Sequence, residues 1–198
     1  RFTDVFRDGR VWALCAVYLC MMVGFYGVNF WMPSIIQEFG IDPNNFLEVG
    51  LLSMVPWGSA AIAMVINGSH SDRTGERFWH VIVPMLVASA GLLGLALAGH
   101  ARMPSMVALT MITCGLLSAI AVFWSLPVAF LSGTAAAAGI AWINSLGNLG
   151  GFFGPDLIGR IRTATDSHEM AFFALSGILL LGALVVVVLR QKSRHASG

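Results

Sequence analysis

The chain's 11 basic and 10 acidic residues all fall outside six apolar stretches, at residues 11–36, 49–66, 79–97, 104–131, 134–155 and 170–189. Four of the five histidines follow the same pattern. His70, His100, His168 and His195 lie in the connections, and His80 falls in the opening turn of the third stretch. A water-soluble core would not sort its ionisable groups this way. A bilayer would, because a charge near its centre costs at least ~2.5–3.5 kcal/mol. The stretches are close to or above the roughly 20 helical residues that span the hydrocarbon. With 57% hydrophobic and 11% charged residues and a mean hydropathy of +0.80, the chain is far from the roughly 25% charged residues of a soluble domain.

The expected fold class is an all-α membrane protein: a cytosolic linker at 1–10, a six-helix transmembrane bundle at 11–189 and a cytosolic tail at 190–198. Six spans put both termini on one side. That side holds Arg1, Arg7, Arg10, Arg73, Arg77, Arg190, Lys192 and Arg194, and the other only Arg102, Arg160 and Arg162. Basic residues collect in the cytosol, so both ends are expected there, in a cell inner (plasma) membrane. Trp12, Trp79 and Trp31 stand near span ends, as an aromatic belt requires. Pro33, Pro56, Pro84 and Pro127 interrupt spans; they serve either as bends or as the prolines membrane helices commonly carry.

Several functions are excluded. A net charge of +1 without a like-charge block offers no nucleic-acid surface. Cys15, Cys20 and Cys114 sit in apolar segments without metal-ligand spacing and read as small buried hydrophobes. No metal or cofactor is expected. An intramembrane protease needs a histidine or carboxylate beside its nucleophile or metal, so the chain is not expected to be an enzyme. Residues 1–10 are polar and do not read as a signal peptide; the chain is expected to be one half of a longer protein. Asn67-Gly68-Ser69 spells a glycosylation sequon by chance, on the expected cytosolic side.

Two segments carry the polar chemistry. Between the second and third stretches stands Gly68-Ser69-His70-Ser71-Asp72-Arg73-Thr74-Gly75-Glu76-Arg77. Gly68 suits close approach of two helix ends, and Asp72 and Arg73 can pair with neighbours and helix-end dipoles at a membrane rim. Such a cluster can form in one conformational state and break in another. In the fifth stretch, Ala137, Ala141, Asn144, Gly147, Asn148, Gly151 and Pro155 share one helical face. Gly147 with Gly151 and Gly150 with Gly154 form GxxxG pairs that suit close helix packing. Asn144 lies near mid-membrane, where an amide must find a partner. Two readings stand for Asn144 and Asn148: groups that hydrogen-bond a substrate, or glue between helices.

The loop resembles the cytosolic signature of the major facilitator superfamily at Gly68, Asp72, Arg73, Gly75 and Arg77. Glu76 departs from it, since a basic residue is usual there. The run Phe123-Trp124-Ser125-Leu126-Pro127, then Leu131-Ser132-Gly133-Thr134 and Asn144 through Phe152, resembles the anion:cation symporter branch, as does Gly24-Phe25-Tyr26-Gly27-Val28-Asn29-Phe30-Trp31-Met32-Pro33. The resemblance extends through all six spans, at the family's helices seven to twelve, and is strongest to bacterial carboxylate and sugar-acid permeases of tartrate and phthalate type. It implies the C-terminal bundle of a major facilitator fold, built from two inverted three-helix repeats. It implies that Trp124 and Asn144 face a central cavity, with Tyr26 and Asn29 as further candidates. Trp124 also fits an aromatic packed between helices. The implied function is half of a proton-coupled organic-anion transporter working by alternating access. The missing N-terminal six-helix half supplies the cationic and proton-carrying groups, a small organic anion with a proton or other cation is the cargo, and the lipid bilayer is the solvent. The alternatives are a self-associating six-helix half-transporter and a channel- or receptor-like membrane protein.

Overall fold

A computed structural model describes residues 7–42, 44–99, 101–131 and 133–196. Residues 1–6 of the expected linker, His100, Ser132 and the last two residues lie outside the described residues, as do the side chains of Thr134, Arg194 and His195. Among the described residues the regular structure is entirely helical: α1 Gly9–Gln37, α2 Phe46–Thr74, α3 Trp79–Leu97, α4 Arg102–Phe123, α5 Ser125–Phe130, α6 Gly133–Gly147, α7 Gly150–Thr165 and α8 Glu169–Ala196. Five runs are long and apolar enough to cross a membrane: α1, α2, α3, α4 with α5, and Glu169–Ser193 of α8.

The fifth apolar stretch behaves differently. It is divided between α6, with 15 residues, and α7, with 16, each short of a span by itself. Moreover, α7 does not stop at Pro155 but runs to Thr165, so Asp156, Arg160 and Arg162, expected in a connection, stand on a helix. An ion pair one turn apart, Arg160 Nε to Asp156 Oδ2 at 2.8 Å, supports this extension. It ends where Asp166 turns left-handed, with φ 55°, and its N–H closes on the Arg162 carbonyl at 2.8 Å.

Local chemistry sets the other ends. Asp8 caps α1 by accepting from the Arg10 N–H at 2.9 Å, and the Arg10 side chain hydrogen-bonded to it holds the Asp8 carboxyl below the usual carboxylate range. Asn45 caps α2 by accepting from Glu48 N–H, while Glu48 accepts from the Asn45 amide at 3.0 Å. At the far end of α2, Gly75 adopts φ +67°, a left-handed C-cap that glycine enters without a side-chain penalty.

In the bundle, α1 packs on α6, α7 and α8, α3 joins α4 to α8, and α2 rests mainly on α4. The core runs through Val17, Met21, Met85, Leu92, Leu109, Ile112, Leu175 and Leu179, all essentially without exposed surface. At the crossing of α1 on α7 two backbones meet closely. A Cβ at Gly150 would stand 2.6 Å from Val23 N, and one at Gly154 would run into the Val23 carbonyl oxygen and lie 2.9 Å from Gly27 N. The Gly150/Gly154 pair therefore lets two backbones touch, as its spacing led us to expect.

A buried hydroxyl pair fastens α3 to α8. Ser89 Oγ and Ser176 Oγ lie 2.7 Å apart, and each also reaches the other's carbonyl at 3.2 Å. In Ser89→Ala, Ser176 keeps one acceptor, so we expect a loss of only ~0.6–1.7 kcal/mol. A small fall in the SDS-unfolding midpoint of the reconstituted chain would register it; a collapse of folding would contradict this geometry.

Candidate substrate-facing site

Two helix interruptions frame the candidate site. At the first, Trp124 separates α4 from α5. Pro127 has no N–H to give the Phe123 carbonyl four residues back, and Ser125 Oγ donates to the neighbouring Val122 carbonyl at 2.6 Å. At the second, Asn148 and Leu149 separate α6 from α7. The ladder shifts there from Asn148 N to Asn144 O, at 3.0 Å, to the tighter Leu149 N to Leu146 O and Gly151 N to Asn148 O, at 3.2 and 2.9 Å. Gly147, Gly150 and Gly151 weaken helical preference on both sides of this point.

The Asn148 side chain is the centre of the cluster. Its Nδ2 donates to both the carbonyl and the side-chain oxygen of Asn144, each at 2.9 Å, and its Oδ1 accepts from Tyr26 Oη at 3.3 Å. Three of the expected residues thus form one chain of hydrogen bonds from α1 to α6. Asn144 itself is exposed, and its NH2 group has no partner among the described residues. The other glycine pair does not bring backbones together but seats rings. Tyr18 lies against Gly147, and Tyr26 against Gly151, whose Cβ would stand 3.4 Å from the ring.

Trp124 does not touch the amides directly. It meets Tyr18 edge-on at 4.8 Å, and Tyr18 stacks on Phe123 at 5.2 Å. Tyr18 is thus a residue that sequence reasoning passed over. The available signal was that both of the chain's tyrosines fall in the first span. Asn29 is exposed and makes no side-chain hydrogen bond among the described residues, so the structure does not join it to the cluster. Beyond Tyr26 an aromatic path continues through Phe25 to Trp57, at 5.3 and 5.8 Å. No Asp, Glu, Lys, Arg or His takes part in these contacts.

The signature segment was expected as a loop, but Gly68 to Thr74 continue α2 and the chain leaves the helix only at Gly75, at the opposite end of α2 from Asn45. Asp72 pairs with Arg77, whose guanidinium also donates to Ser71 Oγ at 3.1 Å. Arg73 is exposed. Gly75 supplies the left-handed turn. The expectation for Gly68 fails: a Cβ there would meet nothing within 4 Å, so no close approach depends on it. Glu76, the departure from the signature, has a local use. It accepts from the Trp79 N–H at 2.8 Å at the start of α3 and faces Arg190 of α8 at 3.7 Å, while that arginine lies 4.9 Å over the Trp79 ring. The sequon residue Asn67 is engaged inside the fold, donating to the carbonyls of His80 and Ser118 at 3.0 and 3.1 Å.

A helical membrane chain with an uncharged polar cluster at two helix breaks and this rim loop defines a transporter architecture, and the comparisons agree. The Major Facilitator Superfamily profile matches residues 1–155. A protein named as a tartrate transporter from Agrobacterium vitis is 44% identical over 96% of this chain and 41% of its own length. The quinolone resistance transporter of Acinetobacter baumannii is 36% identical over 94% of this chain and 42% of its own. The inner membrane transport protein RhmT of Escherichia coli is 31% identical over 96% and 44%. The chain belongs to the Major Facilitator Superfamily and is of its anion:cation symporter type. It is a multi-pass membrane chain of a transporter family, not an enzyme, and it spans about two fifths of the length of the curated relatives it matches.

Proposed function

We propose that this chain is the C-terminal six-helix bundle of a twelve-helix secondary transporter, and that the whole protein takes up an organic anion, a carboxylate or sugar acid, together with a proton or other cation. The observation that carries this reading is the Tyr26–Asn148–Asn144 hydrogen-bond chain at a helix interruption, ending in a free amide and containing no charge. Interrupted helices are where secondary transporters of many folds hold their cargo. An uncharged wall of this kind recognises hydroxyls and carboxylate oxygens but cannot neutralise an anion. The cationic partner and the titratable group that meet the cargo belong to the N-terminal half. Names such as tartrate transporter among the relatives support the choice of cargo class.

In this reading α6 and α7 together make the fifth span, and the bundle consists of two inverted three-helix repeats that rock against the other half around a midplane site. Asn144, Asn148, Tyr26, Trp124 and Asn29 face the cargo. Gly68, Asp72, Arg73, Gly75 and Arg77 form the cytosolic gate loop, and both ends of the chain lie in the cytosol of a bacterium's inner membrane. Proteoliposomes carrying the full-length protein are expected to accumulate labelled tartrate saturably under an inward proton gradient. The chain alone is expected to insert and accumulate none. Robust uptake by the purified chain alone, or non-saturating flux through the full protein, overturns the proposal.

A further inference from the structure

The end of the bundle away from the Arg73 loop contains a buried histidine that the cluster above does not use. His168 precedes α8, and its carbonyl accepts the Phe172 N–H at 3.1 Å. Its side chain is only 2% exposed. The ring stacks on Phe172 at 6.0 Å and meets Trp31 edge-on at 5.4 Å. Glu38, just past the end of α1, brings Oε1 to 2.9 Å from His168 Nδ1. The carboxylate is close enough to pair but off the line of a ring N–H, so neither ring nitrogen has an aligned hydrogen bond. A cavity of about 290 Å³ adjoins the ring, lined among others by Glu38, Asp166, Ser167, Glu169 and Phe172.

We propose that His168, backed by Glu38, is a proton-binding site at this end of the bundle. A neutral imidazole carries one N–H and one lone pair. Buried between two aromatic rings, that lone pair has no aligned protein donor among the described residues. Protonation turns the contact with Glu38 into an ion pair, a charge-assisted interaction roughly twice as strong as a neutral one. Charged groups stand around the ring on three elements. From α1 comes Glu38, from α7 Arg162 and its cap Asp166, and from α8 Glu169. The lining residues from the end of α3, Leu95 and Gly99, carry no charge. Among the described residues Arg162 is the cation of this group, and it lies 3.9 Å from the same Glu38 oxygen. Proton uptake therefore sets His168 against Arg162 for one carboxylate, tightening α1 on α8 at the expense of α1 on α7. Arg162 also covers the other side of the Trp31 environment, 5.3 Å from that ring, so Trp31 adjoins both competitors.

Trp31 supplies the readout, because an imidazolium next to an indole quenches its fluorescence. The probe is the proton itself: full-length protein in nanodiscs is titrated from pH 8 to pH 5, and the Trp31→Phe signal is subtracted. We expect a single-proton quenching transition in the difference signal, absent from His168→Gln. Should that variant fail to fold, Glu38→Gln tests the same claim: loss of the carboxylate removes the partner of the charged ring and is expected to weaken the Trp31-dependent transition. A transition that survives His168→Gln, one that is unchanged in Glu38→Gln, or no Trp31-dependent transition in the parent protein each overturns the site. This titration reads proton binding without any transported cargo, so its failure and that of the transport reading are separable.

Discussion

Gly154→Val is expected to remove most of the folded protein from the membrane. The added Cβ would fall onto the Val23 carbonyl and within 2.9 Å of Gly27 N, both backbone atoms of α1. A flexible side chain could swing away; a helix backbone cannot, so α1 and α7 would have to separate. Overpacking costs typically 1–3 kcal/mol, and a backbone obstacle belongs at ~3 kcal/mol or above. The measurement is the monodisperse fraction after detergent extraction, set beside Gly177→Ala in α8, where a Cβ meets nothing within 4 Å and no loss is expected. Equal behaviour of the two variants would mean that α1 and α7 do not cross at contact distance.

On the proposed function, Asn144→Ala is expected to leave the amount of protein unchanged and to lower the kcat/KM of organic-anion uptake by the full-length protein about 10- to 150-fold. The amide is exposed and its NH2 has no partner among the described residues, so folding loses at most the contact to Asn148. A hydrogen bond to a charged group is worth ~1.5–3 kcal/mol, which gives that range. Asn148→Ala should behave differently. It breaks the links to both Tyr26 and Asn144 and should reduce abundance as well as rate. Unchanged kinetics in Asn144→Ala would leave that amide with a packing role alone.

Much of the helical plan was legible because lipid imposes one rule on every residue: charges leave the hydrocarbon. Five of the six apolar stretches coincide with helical runs able to cross a membrane. The fifth could not be read as cleanly, because its glycines carry two meanings at once. Gly150 and Gly154 serve helix contact, whereas Gly147 and Gly151 seat tyrosine rings beside a break. Nor could the length of α7 be read, since Asp156 and Arg160 look like a membrane exit until they are seen pairing along a helix. Within the site, two amides in an apolar span announced themselves, since burying them without partners is costly. Tyr18 did not, because a tyrosine packed under rings has the same sequence appearance as ordinary core. The burial of His168 was also hidden: a histidine in a polar connection reads as solvated, and only the fold brings Trp31, Phe172 and Glu38 around it.

The light anchoring of α2 has a practical consequence. Only 17% of its apolar window is buried within the chain, against 44–61% for the other runs, and few hydrogen bonds hold it, among them Thr113 Oγ1 to the Pro56 carbonyl at 2.9 Å. Its long oily flank, from Phe46 to Ile66, must be coated by whatever surrounds it. Short-chain detergents that wet this flank poorly should therefore peel α2 from the bundle first, and amide exchange would show it loosening while α1 and α4 remain protected.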